Sequence, residues 1–129
     1  MKRDGSAADS RELAGDSVYL TGASSGIGKA AALRLIEAGA EVAGVARTAS
    51  KLEQTRREAA LLVGEDRFIP LVGDVTREGE VQKTFQQAVD SFGKIDIVLA
   101  NAGSMQVAAI EDTSLALWEE MFAVLSRGV

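Results

Sequence analysis

An α/β fold, a doubly wound parallel sheet with helices on both faces, is what this sequence predicts, and three observations carry the prediction. Short apolar runs alternate along the chain with longer segments of helical periodicity. The first run leads directly into a glycine-rich turn that opens a helix. The third run holds the single proline, which suits a strand at a sheet edge. With 129 residues, 47% hydrophobic and 26% charged, the chain has room for one globular domain with a core.

Taken in order, residues 1–15 are polar and mixed in charge, with a turn around Glu12-Leu13, and read as a flexible extension; residues 16–129 form the domain. Val18-Tyr19-Leu20 is the first strand. Ile27, Ala30, Ala31 and Leu35 recur at helical spacing up to Gly39. Glu41 to Ala46 sets Val42 and Val45 among small residues, as in a buried parallel strand. From Ser50 a second helix carries Leu52, Thr55, Ala59, Leu62 and Val63 on one stripe and ends near Gly64. Phe68 to Val72 is the third strand, and Pro70, which lacks a ladder donor, places it at the edge. Thr76 is suited to cap a third helix with the stripe Val81, Phe85, Ala88, Val89 and Phe92, stopped at Gly93. Ile95 to Ala100 is the fourth strand, and a final helix from about Ser114 aligns Leu115, Trp118, Met121, Phe122 and Leu125. Right-handed crossovers put the first two helices on one face and the third on the other. The strand order is then 3-2-1-4, with the ligand crevice where the first and fourth strands meet.

The chemistry centres on Thr21 to Gly28. Three glycines in seven residues, Gly22, Gly26 and Gly28, let the backbone turn tightly and approach a ligand, and the start of the following helix favours an anion. The spacing is Gly-x-x-x-Gly-x-Gly, which departs from the common Gly-x-Gly-x-x-Gly fingerprint. A P-loop would need Gly at Ala23 and Ser or Thr at Ala30, so a nucleoside-triphosphatase reading fails, and Lys29 is left as a solvated first-turn residue. NAD-binding chains place Asp or Glu about 20 residues after the glycines. No acid lies between Glu41 and Glu53; Arg47 stands there instead, and its guanidinium fork suits a 2′-phosphate. The expected cofactor is therefore NADP(H) in preference to NAD(H).

Other classes are disfavoured. The net charge is -5 with 14 scattered basic residues, which argues against nucleic acid or an anionic membrane as partner. The absence of Cys and His removes disulfides, thiolate nucleophiles, Ser-His triads and the usual zinc sets. No run approaches the roughly 18 apolar residues of a membrane span, and the N-terminus lacks the apolar core of a secretory signal, so a cytoplasmic location is expected.

The motifs together resemble the short-chain dehydrogenase/reductase family over about Asp16 to Val129. Thr21 to Gly28 is similar to the family's Thr-Gly-x-x-x-Gly-x-Gly turn, Asp74-Val75 to the pair beside the adenine, and Asn101-Ala102-Gly103 to the Asn-Ala-Gly that supports the sheet next to the cofactor. The resemblance implies a Rossmann-like fold, hydride transfer between a nicotinamide cofactor and a carbonyl or alcohol, and a cofactor set of Gly22, Ser24, Ser25, Gly26, Ile27, Gly28, Arg47, Asp74, Val75, Asn101, Ala102 and Gly103. The family's Asn-Ser-Tyr-Lys catalytic set has no counterpart here. The single tyrosine, Tyr19, has Ala23 four residues on and reads as a packed strand aromatic, while Leu125 stands where the resemblance puts the catalytic Asn. No catalytic residue is assigned. The expectation is an incomplete sheet of about four strands, a cofactor-binding half truncated before the catalytic segment, inactive alone, with a missing C-terminal half or a second copy as possible partners. The alternative is a non-catalytic nucleotide-binding or assembly subunit.

Overall fold

The structure is a computed structural model that describes residues 12–103 and 109–129, so residues 1–11 of the expected extension lie outside the described residues. Its elements are β1 (Ser17–Thr21), α1 (Gly26–Glu37), β2 (Glu41–Ala46), α2 (Ala49–Val63), β3 (Phe68–Val72), α3 (Glu78–Phe92), β4 (Ile97–Ala100) and α4 (Leu115–Phe122). A short 3-10 turn, Ile110–Asp112, precedes α4, and a π-helical turn, Ala123–Arg127, follows it. The strands form one parallel sheet in the order β3-β2-β1-β4, with Val18 opposite Val42 and Ile97, and Val42 opposite Phe68. Pro70 sits on the outermost strand, where its missing donor breaks no ladder.

Alternation along the strands builds two cores. Val18, Leu20, Val42 and Phe68 face Ala32 and Ile36 of α1 and Leu52 and Ala59 of α2. Tyr19, Ala43 and Val45 face Ala88 of α3, with Leu71, Phe92 and Ile95 at the margin. Each large side chain fully removed from water contributes about 1.5–3 kcal/mol, so Leu20, Ile36, Leu52 and Phe68 hold α1, α2 and β3 to the sheet. Gly44 is obligatory in this packing: a Cβ there would lie 2.3 Å from the Phe68 ring. Tyr19 is buried as expected, its hydroxyl 2.8 Å from Thr84 Oγ1 and its ring edge-on to Phe85. The helices sit as right-handed crossovers require.

Several local expectations need correction. Thr76 does not cap α3. The helix begins one residue later than expected, with Arg77 at the cap position and no side-chain cap bond, while the Thr76 N–H and hydroxyl both donate to the Asp74 carboxylate two residues back. The fourth strand starts at Ile97; Asp96, just before it, donates its N–H to Ser17 O and accepts the Ser17 N–H and the Lys94 ammonium on its carboxylate. Lys29 is ion-paired with Glu58 of α2. Leu13 packs against the first core and its N–H donates to Ala38 O, so the turn at residues 12–15 is tied down. The apolar stripe of α4 and the turn after it faces solvent: Leu115 is 71% exposed, Trp118 53% and, in the π-helical turn, Leu125 48%. Among the described residues no helix is long and apolar enough to cross a membrane.

Candidate nucleotide-binding site

The sheet delivers its loops to one end. Gly22, Ser24, Ser25 and Ile27 follow β1, Arg47 follows β2, Asp74 and Val75 follow β3, and Asn101, Ala102 and Gly103 follow β4; all line one cleft of about 390 Å³. Open α/β sheets bind ligands at this carboxyl end, where the strand order reverses. Of the residues expected at the site, Gly26 and Gly28 do not line the cleft.

The turn after β1 is folded hard against itself and against the segment after β4. Gly22 has φ +76, and a Cβ there would meet Ala102 Cα and Asn101 Nδ2 at 2.9 Å. A Cβ on Gly28 would lie 1.8 Å from Gly22 O, so Gly28 is needed for closure of the turn. The Gly22 and Ala23 N–H groups both donate to Val45 O, at 2.8 and 3.3 Å. Thr21 Oγ1 accepts from Asn101 N at 3.1 Å and Ala102 N at 3.2 Å, and Asn101 Nδ2 donates to Gly22 O at 3.4 Å. From below, the buried Thr55 hydroxyl of α2 donates to Ala23 O at 3.2 Å.

These bonds fix the turn but leave its leading edge open. Ser25, the residue before α1, makes no side-chain cap bond, and the first turn carries no acidic residue. The N–H groups of Ser25, Gly26, Ile27 and Gly28 have no acceptor among the described residues; the first that does, Lys29 N, reaches Ser25 O at 3.2 Å. Unmet N–H groups at the positive end of a 12-residue helix, beside a cleft, fit an anion such as a dinucleotide's pyrophosphate.

The wall beside β2 is basic. Arg47 is exposed and has no hydrogen bond or ion pair among the described residues. Thr48 precedes α2 without making a cap bond, and Lys51, in the first turn of α2, lines the same wall. Sequence reasoning missed Thr48 and Lys51; the position of Lys51 four residues after Arg47 was the available signal. It also missed Val124, brought to the cleft by the π-helical turn. Opposite, Asp74 Oδ1 accepts from the Thr76 hydroxyl at 2.7 Å and the Thr76 N–H at 2.9 Å. These two bonds, in that order, hold the carboxyl below its ordinary range; burial opposes them, and Arg47 and Arg77 add a smaller favourable field. Among the described residues no His, Cys, Asp and Glu cluster could hold a metal ion.

Comparison with known proteins gives a consistent result. A family model described as short chain dehydrogenase matches residues 16–129. An uncharacterized oxidoreductase of Listeria monocytogenes is 37% identical over 112 residues, covering 87% of this chain and 44% of the relative. Among solved structures, a short-chain type dehydrogenase/reductase from Mycobacterium marinum superposes with a TM-score of 0.87 at 35% identity, covering 95% of this chain and 48% of that one. A 3-ketoacyl-(acyl-carrier-protein) reductase from Brucella melitensis, complexed with NADH, gives a TM-score of 0.81 at 26% identity, covering 90% and 46%. The chain thus spans less than half the length of each.

Proposed function

The chain belongs to the short-chain dehydrogenase family, and from that premise we propose that it is the NADP(H)-binding part of an oxidoreductase acting between a carbonyl and an alcohol. Members of the family are oxidoreductases with a nucleotide-binding Rossmann-type fold. The observation that carries the reading is the meeting of two features at one cleft: the N–H groups at the start of α1, and the Arg47 guanidinium, both without a partner among the described residues, with Lys51 lining the same cleft.

Each residue then has a stated role. The open N–H groups of Ser25 and Ile27, the two of that run that line the cleft, and the Ser24 and Ser25 hydroxyls would hold the pyrophosphate. Arg47 and Lys51 would hold the 2′-phosphate, where an acid in their place would have selected the bare ribose. Asp74 and Val75 would flank the adenine, and Asn101, Ala102 and Gly103 would brace the turn against β4. The cofactor supplies or accepts a hydride when bound.

Hydride delivery to a carbonyl also needs a positioned acid. Tyr19, the single tyrosine, is buried with its hydroxyl on Thr84, and no Tyr-x-x-x-Lys occurs in these residues. Asp74 is held ionised and donates no proton at neutral pH. The Asn101 amide donates to Gly22 O and so serves the turn, and Leu125 is apolar. The 129-residue chain therefore binds NADP(H) without turning it over. The exposed apolar stripe of α4 supports a second reading, a nucleotide-binding subunit that works by assembly. The test is loss of NADPH absorbance with a broad panel of aldehydes and ketones. We predict no turnover above the protein-free rate. Reproducible turnover by the purified chain, abolished by Gly28→Trp, would contradict the proposal.

A further inference from the structure

Resting on that reading of the cleft, we propose that Thr76 and Glu80 are positioning residues for Asp74, holding its carboxylate at the cleft wall with one oxygen open to a hydrogen-bond donor of the bound nucleotide. Both Thr76 donors go to the same atom, Oδ1, at 2.7 and 2.9 Å, and no described residue donates to Oδ2. Glu80, in the first turn of α3, accepts the Asp74 N–H on Oε1 at 3.1 Å, while its Oε2 pairs with Arg77 at 3.3 Å. The segment between β3 and α3 is therefore gripped twice, by the main chain of Asp74 and by its side chain.

A threonine one residue before the helix cap position serves the carboxylate, and α3 begins without a side-chain cap. What this grip secures is orientation. Arg47 lines the same cleft and its field reaches Asp74, yet the two form no ion pair. A carboxylate released from Thr76 would rotate freely and close on Arg47 or Arg77, occupying a guanidinium that a phosphate requires. Held through Oδ1, Asp74 leaves Arg47 free and presents an ionised acceptor, suited to an amino or hydroxyl group of the nucleotide.

The test is titration calorimetry with NADP⁺ on the full 129-residue chain, with circular dichroism and thermal melting to confirm the fold of each variant. Thr76→Val should weaken binding about tenfold, the scale of a lost hydrogen bond to a charged group, whereas Thr76→Ser should restore it. In an Asp74→Asn background the same Thr76→Val change should matter less than about twofold, because a residue acting through another loses its effect when that partner is replaced. Glu80→Ala should weaken binding while Glu80→Gln, which keeps the acceptor oxygen, should not; this pair carries the test should Thr76→Val fail to fold. A folded Thr76→Val protein with unchanged affinity, or the full loss persisting beside Asp74→Asn, would overturn the proposal. A folded, unsubstituted chain that does not bind NADP⁺ would overturn the cofactor reading itself, and this proposal with it.

Discussion

Single residues carry most of the chemistry here, and they were legible to different degrees. Gly22 and Gly28 could be read from spacing because what they do is steric: no other side chain fits where a Cβ meets Ala102 at 2.9 Å or Gly22 O at 1.8 Å. Arg47 was legible as a substitution of charge type at a fixed distance from the glycines. Thr76 was misread because the helix starts one residue further on, at Arg77, and sequence alone does not place a helix start to the residue, so the threonine donates to the Asp74 carboxylate and caps nothing. Those bonds have a consequence in pH. The Thr76 bonds hold Asp74 below its ordinary value of 3.8 in the folded chain, so its stabilising contribution is present above that unfolded value and is lost as pH falls through the lower folded one. Carboxyl NMR titration of the folded protein should give Asp74 a midpoint under 3.8, rising toward it in Thr76→Val. An unshifted midpoint in the unsubstituted protein would contradict this assignment.

At the scale of elements, periodicity located the strands and the first three helices but set two faces about one residue off: α1 buries Gly28, Ala32 and Ile36 while Ile27 of the expected stripe is 81% exposed, and α3 buries Thr84 and Ala88 with Phe85 36% exposed, because the sheet selects the small and branched residues that let each helix approach closely. The fourth strand and last helix show where that logic stops. Periodicity identifies an apolar face but says nothing of what covers it. Val98 is 60% exposed on β4, and Trp118 and Phe122 stack at 4.4 Å on a helix with no buried residue. Ser114 does cap α4, accepting from Leu117 N at 3.0 Å, so the helix is locally well formed and its exposure is a matter of partners. Such a surface promotes association. We predict that the isolated chain self-associates in sedimentation velocity, and that Trp118→Ser with Phe122→Ser shifts it toward monomer without loss of far-UV dichroism. A monodisperse monomer before substitution would contradict the prediction.

For the molecule as a whole, topology was the most legible feature of all. Parallel strands joined by right-handed crossovers admit few arrangements, and an edge proline with a glycine turn after the first strand selects one of them. The cleft was less legible than the fold, because its walls come from four loops that are distant in sequence. Lys51 and Val124 enter it through the start of α2 and the π-helical turn, geometry that no local pattern specifies. We propose above that this cleft is an NADP(H) site selected by Arg47. The most direct test is calorimetric titration of NADP⁺ and NAD⁺ into the chain and into Arg47→Ala. NADP⁺ should bind the unsubstituted chain more tightly than NAD⁺ and lose roughly 10- to 100-fold in the variant, with NAD⁺ little changed. Equal loss of both cofactors, or no loss of either, would contradict it.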